Sequence, residues 1–174
     1  MRNEPVPGDL YKFSDPANQP ATLRVNDQEV PIKLDHGYVA LDRSWKPGDV
    51  IDLNLPMLVR RVVANENVLA DRGRVALQRG PIVYCAEWPD NPDGKVRNLL
   101  LPDDQPLTAG FDPALLNGVE VIEGRAYGVA FSQSGKLFKQ LQDFKAIPYF
   151  AWANRGRGEM AVWIANSEDT LRTP

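Results

Sequence analysis

Apolar and polar residues alternate along several short stretches of this chain of 174 residues. The clearest example is VIDLNLPM at positions 50–57, where single polar residues separate Ile51, Leu53 and Leu55. Because successive side chains of a strand point to opposite faces, this pattern predicts a β-strand with one apolar face. Other short apolar runs that predict strands are LRVN (23–26), EVPIKL (29–34), GYVALDR (37–43), LVRRVVAN (58–65), RVALQR (74–79), PIVYCAEW (81–88), RNLLLP (97–102), GVEVIEG (118–124), AYGVAF (126–131), AIPYFAWAN (146–154) and GEMAVWIA (158–165).

Turn-forming residues separate these runs, since the chain contains 15 prolines and 13 glycines. Asp27–Gln28 is predicted to be a tight hairpin turn, and Arg155–Gly158 the loop of one long closing hairpin. Gly80–Pro81 predicts a bulge or the start of a strand, because proline cannot donate to a central ladder. About ten strands without a βαβ rhythm predict an all-β fold, an antiparallel β-sandwich of jelly-roll-like type.

Two segments carry short helix signals. FDPALLNG has Asp112 as a candidate N-cap and Gly118 just beyond the last helical residue. SGKLFKQLQDF places Leu137, Leu141 and Phe144 at i, i+4 and i+7, the spacing of one helix face. We therefore expect one or two short helices beside the strands.

The sequence predicts a single β-sandwich unit over residues 1–174. A polar segment at 64–73, ANENVLADRG, follows a predicted strand and offers an alternative boundary. In that alternative, residues 1–66 are the end of one sandwich and residues 67–174 form a second. The segment is short for a linker, so the single unit is preferred.

Charge and hydropathy exclude several classes of partner. Lys and Arg number 20 and Asp and Glu 23, with the two signs interspersed, so no positive surface for nucleic acid is expected. Apolar runs such as Ile82–Ala86 are far shorter than the roughly 20 residues of a membrane span. The first residues lack the apolar segment of a secretory signal peptide. We expect a soluble chain with no membrane partner and unknown localisation.

Cys85 is the only cysteine, so the chain can form neither an internal disulfide nor a zinc site built from paired cysteines. A nucleophilic cysteine needs a nearby base or positive charge and partial exposure. In a strand, Ile82, Tyr84 and Ala86 would face one way, and Val83 and Cys85 the other. Because apolar residues flank Cys85 on both sides, we predict a buried, unreactive thiol in a strand covered on both faces.

Other reactive groups have a simpler explanation. His36, the single histidine, follows Asp35 in a segment typical of a turn, and a dyad with Cys85 would require the two to meet in the fold. The chain has 23 Asp and Glu residues, so their number alone does not exclude a pair of carboxylates like that of a glycosidase. However, Glu87 and Glu159 lie at predicted strand ends, where a surface charge is the usual explanation.

The segment WPDNPDGK brings together Asp90, Asn91 and Asp93, as in a calcium-binding loop. Pro92 occupies a position where that loop needs a ligand, so a turn is predicted instead. The chain also lacks the G-x-S-x-G, P-loop and dinucleotide-binding motifs. The residues alone therefore predict a β-sandwich without a self-contained active site.

The four tryptophans raise the alternative of a sugar-binding surface, since aromatic rings stack on sugar rings. Trp152 and Trp163 lie in the predicted closing hairpin and are expected in the core. Trp45 and Trp88 border turns and are the candidates for sugar contact.

Three long stretches resemble a known family: WKPGDVIDLNLPMLVRRV (45–62), GRVALQRGPIVYCAEWPDN (73–91) and AIPYFAWANRGRGEMAVWI (146–164). They are similar to the C-terminal region of glycoside hydrolase family 127, the β-L-arabinofuranosidase-like family. The resemblance extends from about residue 20 to residue 164.

This resemblance implies a parent with a large N-terminal (α/α)6-barrel catalytic domain followed by β-sandwich regions. The retaining chemistry of the family is attributed to a cysteine nucleophile held at zinc by further cysteines and a glutamate, with a separate glutamate as acid/base. All of those residues belong to the barrel. No catalytic, cofactor-binding or metal-binding residue therefore carries over to this chain, and Cys85 does not correspond to the nucleophile. We expect no cofactor in this chain, since the zinc of the family lies in the barrel.

The expected function is a non-catalytic accessory β-sandwich that packs on and stabilises the catalytic barrel of such an enzyme. The opening MRNEPVPGDLY reads as though a longer protein had been entered partway. Exposed strand edges would then favour a homodimer. The alternative is a carbohydrate-binding module for arabinose-containing glycans, built around Trp45 or Trp88. An independent hydrolase using Cys85 ranks last.

Overall fold

The structure, a computed structural model, describes residues 8–15 and 19–171, and nearly all of its regular elements are strands. The predicted all-β class is confirmed. The first seven strands are β1 (Tyr11–Phe13), β2 (Thr22–Val25), β3 (Gln28–Glu29), β4 (Leu34–Asp35), β5 (Tyr38–Val39), β6 (Ile51–Asn54) and β7 (Val59–Ala64). The next eight are β8 (Arg74–Arg79), β9 (Ile82–Glu87), β10 (Leu99–Leu100), β11 (Leu107–Asp112), β12 (Val119–Phe131), β13 (Leu137–Pro148), β14 (Met160–Ala161) and β15 (Ile164–Ala165).

The remaining regular elements are single turns. The helix α1 spans Glu168–Leu171, and 3-10 turns span Leu69–Asp71, Trp88–Asp90, Pro92–Gly94 and Tyr149–Ala151. The opening residues 1–7, on which the signal-peptide expectation rests, lie outside the described residues.

One ten-stranded sheet forms most of the fold, and its pairings close on themselves. One edge of β8 pairs with β7, and its other edge is shared by β9 and β15. From β15 the pairing continues through β10, β12 and β13 and returns to β9. All of these pairs are antiparallel except β10 with β15. The result is consistent with the sandwich-like fold predicted from the sequence.

We call this closed set of six strands the circuit; it consists of β8, β9, β13, β12, β10 and β15. Every second residue of these strands faces the interior of the circuit, as expected for a strand with one face toward the core. Tyr84 and Phe144 are its largest side chains, and both are almost completely buried. The buried cluster consists of Val75, Leu77, Tyr84, Ala86, Val96, Leu99, Leu101, Ile122, Ala126, Phe144, Ala146 and Ile164.

A second apolar cluster covers the outer side of β9. Cys85, Val121, Ile147 and Ala151 are buried there. The partly buried residues packed against them include Leu115, Leu116, Val119, Met160 and Val162. Strand β9 therefore has apolar cover on both faces from Tyr84 to Ala86, as the sequence predicted, whereas Val83 on the outer face is 41% exposed.

The connection between β8 and β9 consists of Gly80 and Pro81 alone. Gly80 has φ 55°, a conformation that glycine adopts without steric cost. A Cβ at this position would lie 2.2 Å from Sδ of Met57. Strand β9 begins at Ile82, directly after the proline, so the predicted strand start is confirmed.

Residues before β7 form two small separate sheets, except that β1 pairs with β7. The turn between β2 and β3 is Asn26–Asp27, with both φ values positive, one residue earlier than predicted. The strongly alternating segment is indeed a strand, β6, but Ile51 and Leu53 stay exposed. The alternation predicted the strand correctly, although the apolar face is not covered by the described residues.

The predicted helix at residues 134–144 is wrong, because most of this segment is β13. Ten residue pairs link β13 to β12, and this long ladder prevails over a weak helical pattern. In the strand, Leu137 and Leu141 lie on one face and Phe144 on the other.

The predicted helix in FDPALLNG is also absent from the structure, in which β11 ends at Asp112 and a turn follows. The Asp112 carboxylate does accept a hydrogen bond from the Ala114 N–H, at 3.1 Å. Leu116 and Asn117 then take positive φ values of 50° and 65°, which stop a right-handed helix from forming.

The predicted closing hairpin is wrong. β13 and β14, which were expected to pair with each other, lie on opposite edges of β9. The chain therefore crosses β9 through the loop that follows Pro148, and this loop carries Arg155.

Among the described residues, no helix combines the length and apolar character that a membrane span requires.

Replacing Phe144 by alanine should lower the free energy of unfolding by about 3–5 kcal/mol, because it opens a cavity in the filled circuit. Phe138 lies on the same strand but is exposed. Its replacement by alanine should change stability by no more than about 0.5 kcal/mol. Urea denaturation of both variants checks this, and equal losses would contradict the assignment of the core.

Candidate functional site

The C-terminal end of β9 carries a partly buried ion-pair cluster that consists of Glu87, Asp90 and Arg155. Glu87 is only 1% exposed, so the expectation of a surface charge at this position is wrong. Arg155 Nε donates to Glu87 Oε2 at 3.0 Å, and Arg155 Nη1 donates to Asp90 Oδ1 at 2.6 Å. Arg155 Nη2 donates to both carboxylates. One guanidinium thus bridges two acids.

Hydrogen bonding to Asp90 raises the pKa of Arg155 most strongly, and that to Glu87 acts in the same direction against the effect of burial. The guanidinium therefore stays charged at neutral pH. Its planar fork of donors suits two carboxylates at once, which an ammonium group would not match.

The same cluster fixes the backbone of the crossing loop. Ala153 has φ 68°, a conformation that L side chains rarely adopt, and its N–H donates to Glu87 Oε1 at 3.0 Å. Two residues further on, the side chain of Arg155 reaches the same carboxylate. The loop is thus held to β9 through both backbone and side chain.

Trp88 is packed against glycines of this region. A Cβ at position 158 would lie 2.1 Å from Cδ1 of Trp88, so only glycine fits there. Gly94 and Gly156 also face the ring, with built Cβ positions 3.5 Å and 3.8 Å from it. The indole Nε1 is buried without a hydrogen-bond partner among the described residues. Trp88 is therefore packed into the loop, and its sugar contact stays a prediction.

The loop presents three exposed aromatic side chains, Tyr149, Phe150 and Trp152, which we call the aromatic cluster. Their exposed fractions are 45%, 72% and 41%. Tyr149 and Trp152 stack on each other, with ring centroids 5.9 Å apart and planes 15° from parallel. The expectation that Trp152 lies in the core is wrong, because the chain leaves β13 at Pro148 and this residue lies in the loop, not in a strand.

The other two tryptophans lie elsewhere. Trp163 is half-buried and stacks on Tyr11, at 5.5 Å between centroids. Trp45 is exposed, with the Arg43 guanidinium carbon 4.9 Å above its ring. The structure does not join Trp45 and Trp88 into one described surface, and sugar contact at Trp45 stays a prediction.

Cys85 is 1% exposed and belongs to the apolar cluster on the outer face of β9, so its predicted burial is confirmed. Burial raises the pKa of the thiol to about 12, and the charge of Glu87 acts in the same direction. The thiol is therefore protonated at neutral pH, which removes the nucleophilic form.

His36 lies in the turn between β4 and β5, as predicted, with φ 50°. Its exposed ring contacts the Asp35 carboxylate, at 2.6 Å between Nδ1 and Oδ1. The structure does not bring it to the buried Cys85, so the dyad does not form.

The described residues do not fit the zinc site of the resembled family. Among them, no three His, Cys, Asp or Glu side chains lie close enough to hold a metal ion, and the one thiol is buried in apolar surroundings. In the calcium-like segment, Asp90 is occupied by Arg155 and Asn91 donates to the Glu87 carbonyl at 2.9 Å. The segment forms two successive 3-10 turns, in agreement with the predicted turn.

Sequence patterns missed both the ion-pair cluster and the aromatic cluster. Two signals were present in the chain. Glu87 follows an uninterrupted apolar run, which favours burial of its side chain, and the arginines of NRGRG alternate with glycines that allow close packing. Neither signal shows that residues about 68 positions apart meet in space.

Two family profiles cover most of the chain. Residues 59–165 match the profile described as glycoside hydrolase family 127 C-terminal domain. Residues 14–57 match the profile described as β-L-arabinofuranosidase, GH127 middle domain. The chain belongs to glycoside hydrolase family 127.

Three relatives of this family 127 chain are named as arabinofuranosidases. The non-reducing end β-L-arabinofuranosidase of Bifidobacterium longum subsp. longum is 36% identical over 156 residues, which are 82% of this chain and 23% of the relative. A solved family 127 β-arabinofuranosidase matches this chain with a TM-score of 0.86 and 41% sequence identity. The match covers 93% of this chain and 25% of the solved one. The β-L-arabinofuranosidase of Geobacillus stearothermophilus T6 has a TM-score of 0.76 and 42% identity, covering 86% and 25%.

The family 127 chain thus spans about a quarter of the length of these relatives. It corresponds to their middle and C-terminal domains. The sequence-based resemblance to the C-terminal region of the family is confirmed.

Replacing Arg155 by methionine in the family 127 chain should lower the free energy of unfolding by about 3–5 kcal/mol, because it leaves Glu87 buried without its partner. The matched control is Arg125→Met, since Arg125 pairs with the exposed Asp143 at 3.4 Å. That change should cost no more than about 1 kcal/mol. Urea denaturation measures both, and equal effects would argue against a stabilising role for the cluster.

Native Cys85 should react with a thiol reagent at pH 8 at least about a hundredfold more slowly than the same thiol in denaturant, because burial and the raised pKa suppress the thiolate. Stopped-flow absorbance with a disulfide reagent gives both rates. Comparable rates in the two states would show that the thiol is accessible.

Proposed function

We propose that this chain is a non-catalytic β-sandwich region of a β-L-arabinofuranosidase-like family 127 enzyme, and that it packs on and stabilises the catalytic domain. The supporting observation is the continuous match of its residues to the middle and C-terminal domains of enzymes four times as long. The chemistry of those enzymes is then supplied by the part of their chains outside this match.

The side chains found here support a structural role. The most strongly organised charges, Glu87, Asp90 and Arg155, neutralise one another and hold a loop in place. Both carboxylates are bound by the Arg155 guanidinium, so neither is free to serve as the acid or the nucleophile of a glycosidase pair. Cys85 is protonated and buried. We propose further that the chain holds no zinc.

The first test is hydrolysis by the chain alone. The purified chain should release no nitrophenol from 4-nitrophenyl β-L-arabinofuranoside, while the full-length Geobacillus stearothermophilus enzyme is the positive control. Release of nitrophenol that tracks the chain through purification would overturn the non-catalytic assignment.

The second arm of this test measures packing. A tagged version of this chain is co-expressed with the part of the Geobacillus enzyme that lies outside the matched quarter. We expect the two to copurify, and more of the enzyme portion to be soluble when the chain is present. Equal solubility with and without the chain, and no copurification, would contradict the stabilising role.

A further inference from the structure

We propose that the aromatic cluster, Tyr149, Phe150 and Trp152, is the surface through which this region contacts the catalytic portion of the enzyme. This inference rests on the proposed function and names the contacting side chains. Phe150, at 72% exposed, is the most exposed phenylalanine among the described residues. Three adjacent exposed aromatic residues in one loop are typical of the centre of a protein interface.

The aromatic cluster is held rigidly before any partner is bound. Ala151, at its middle, is buried against the apolar cluster that contains Cys85 and Ile147. Immediately after the cluster, Ala153 keeps its strained φ of 68° through the hydrogen bond to Glu87. A non-glycine residue persists in this conformation only where its surroundings enforce it, and such sites mark functional loops.

Rigid presentation favours binding, because a surface that is already ordered loses less conformational entropy on association. The ion pair of Arg155 with Glu87 and Asp90 therefore has an effect beyond stability. This ion pair fixes the loop, and with it the three aromatic rings, relative to strand β9.

The geometry favours a protein partner over a sugar. The rings of Tyr149 and Trp152 stack on each other, so one face of each is already covered. Phe150 has no polar atom with which to recognise a hydroxyl group. An apolar protein pocket satisfies all three side chains, whereas a sugar-binding surface needs open ring faces beside hydrogen-bonding groups.

The lengths of the relatives support the catalytic portion as the partner. The fold of this chain recurs in a solved relative with a TM-score of 0.86 over 93% of its residues, yet those residues are only 25% of that relative. About three quarters of the relative lies outside the match. Within one such enzyme, that portion belongs to the same polypeptide as the aromatic cluster and can supply the apolar surface that covers it.

The test uses the copurification assay with a double variant, Phe150→Ser with Trp152→Ser. Recovery of the enzyme portion should fall at least about tenfold, as expected when two central aromatic contacts are removed. The matched control is Phe138→Ser, which removes an exposed phenylalanine from β13. That variant should copurify as well as the unchanged chain.

Two further measurements separate contact from folding. The conservative Phe150→Leu variant keeps an apolar side chain and should restore most of the recovery. Urea midpoints of the serine variants should match that of the unchanged chain, because the altered side chains are exposed. A loss of recovery accompanied by a lowered midpoint in the double variant alone would overturn the proposal in favour of a structural role.

The outcomes distinguish this proposal from the proposed function. If the double variant copurifies normally, the aromatic cluster is not the contact surface, while the packing role stands. If the unchanged chain fails to copurify, both fail. Saturable binding of arabinan that the double variant loses would assign the cluster to sugar instead. A dimer seen by sedimentation that the double variant abolishes would assign it to a second copy of the chain.

Discussion

Strand β9 is the constraint on which the rest of the fold depends. It pairs with β8 and β14 along one edge and with β13 along the other. Tyr84 and Ala86 fill the interior of the circuit, and Cys85 faces the outer apolar cluster. With both faces and both edges occupied, no residue from Tyr84 to Ala86 can change size or polarity without displacing a neighbour. This accounts for the burial of a thiol that could otherwise be taken for a nucleophile.

The end of β9 shows how such an apolar element accommodates charge. Glu87 is buried directly after Ala86, and its desolvation is offset by three donors from Arg155 and the Ala153 backbone. A buried pair of this kind gives little net stability over an apolar replacement, but it specifies geometry. Here the pair specifies the path of the loop that follows β13, because its hydrogen bonds are directional and an apolar contact is not.

Sequence patterns predicted the strands, the turn at His36, the strand start after Gly80–Pro81 and the burial of Cys85, because each depends on neighbours in the chain. They failed where partners distant in sequence decide the outcome. Leu137, Leu141 and Phe144 fit a helix until the ladder with β12 is known. Glu87 was expected at the surface because its partner lies 68 residues away. The family resemblance identified the protein class but could not locate the exposed aromatic side chains.

The position of β15 in the circuit has a consequence for how the chain folds. This strand, Ile164–Ala165, joins β8 to β10, and its partners in β8 lie about 90 residues earlier in the chain. During synthesis the ring of strands stays open until the last of these residues leaves the ribosome. Such late, non-local closure slows folding and leaves the Arg74–Val75 end of β8 and one edge of β10 without their β15 partner in the meantime. Strand β8, the first strand of the circuit to be synthesised, thus depends on β15, the last of the six, for its pairing at Arg74 and Val75.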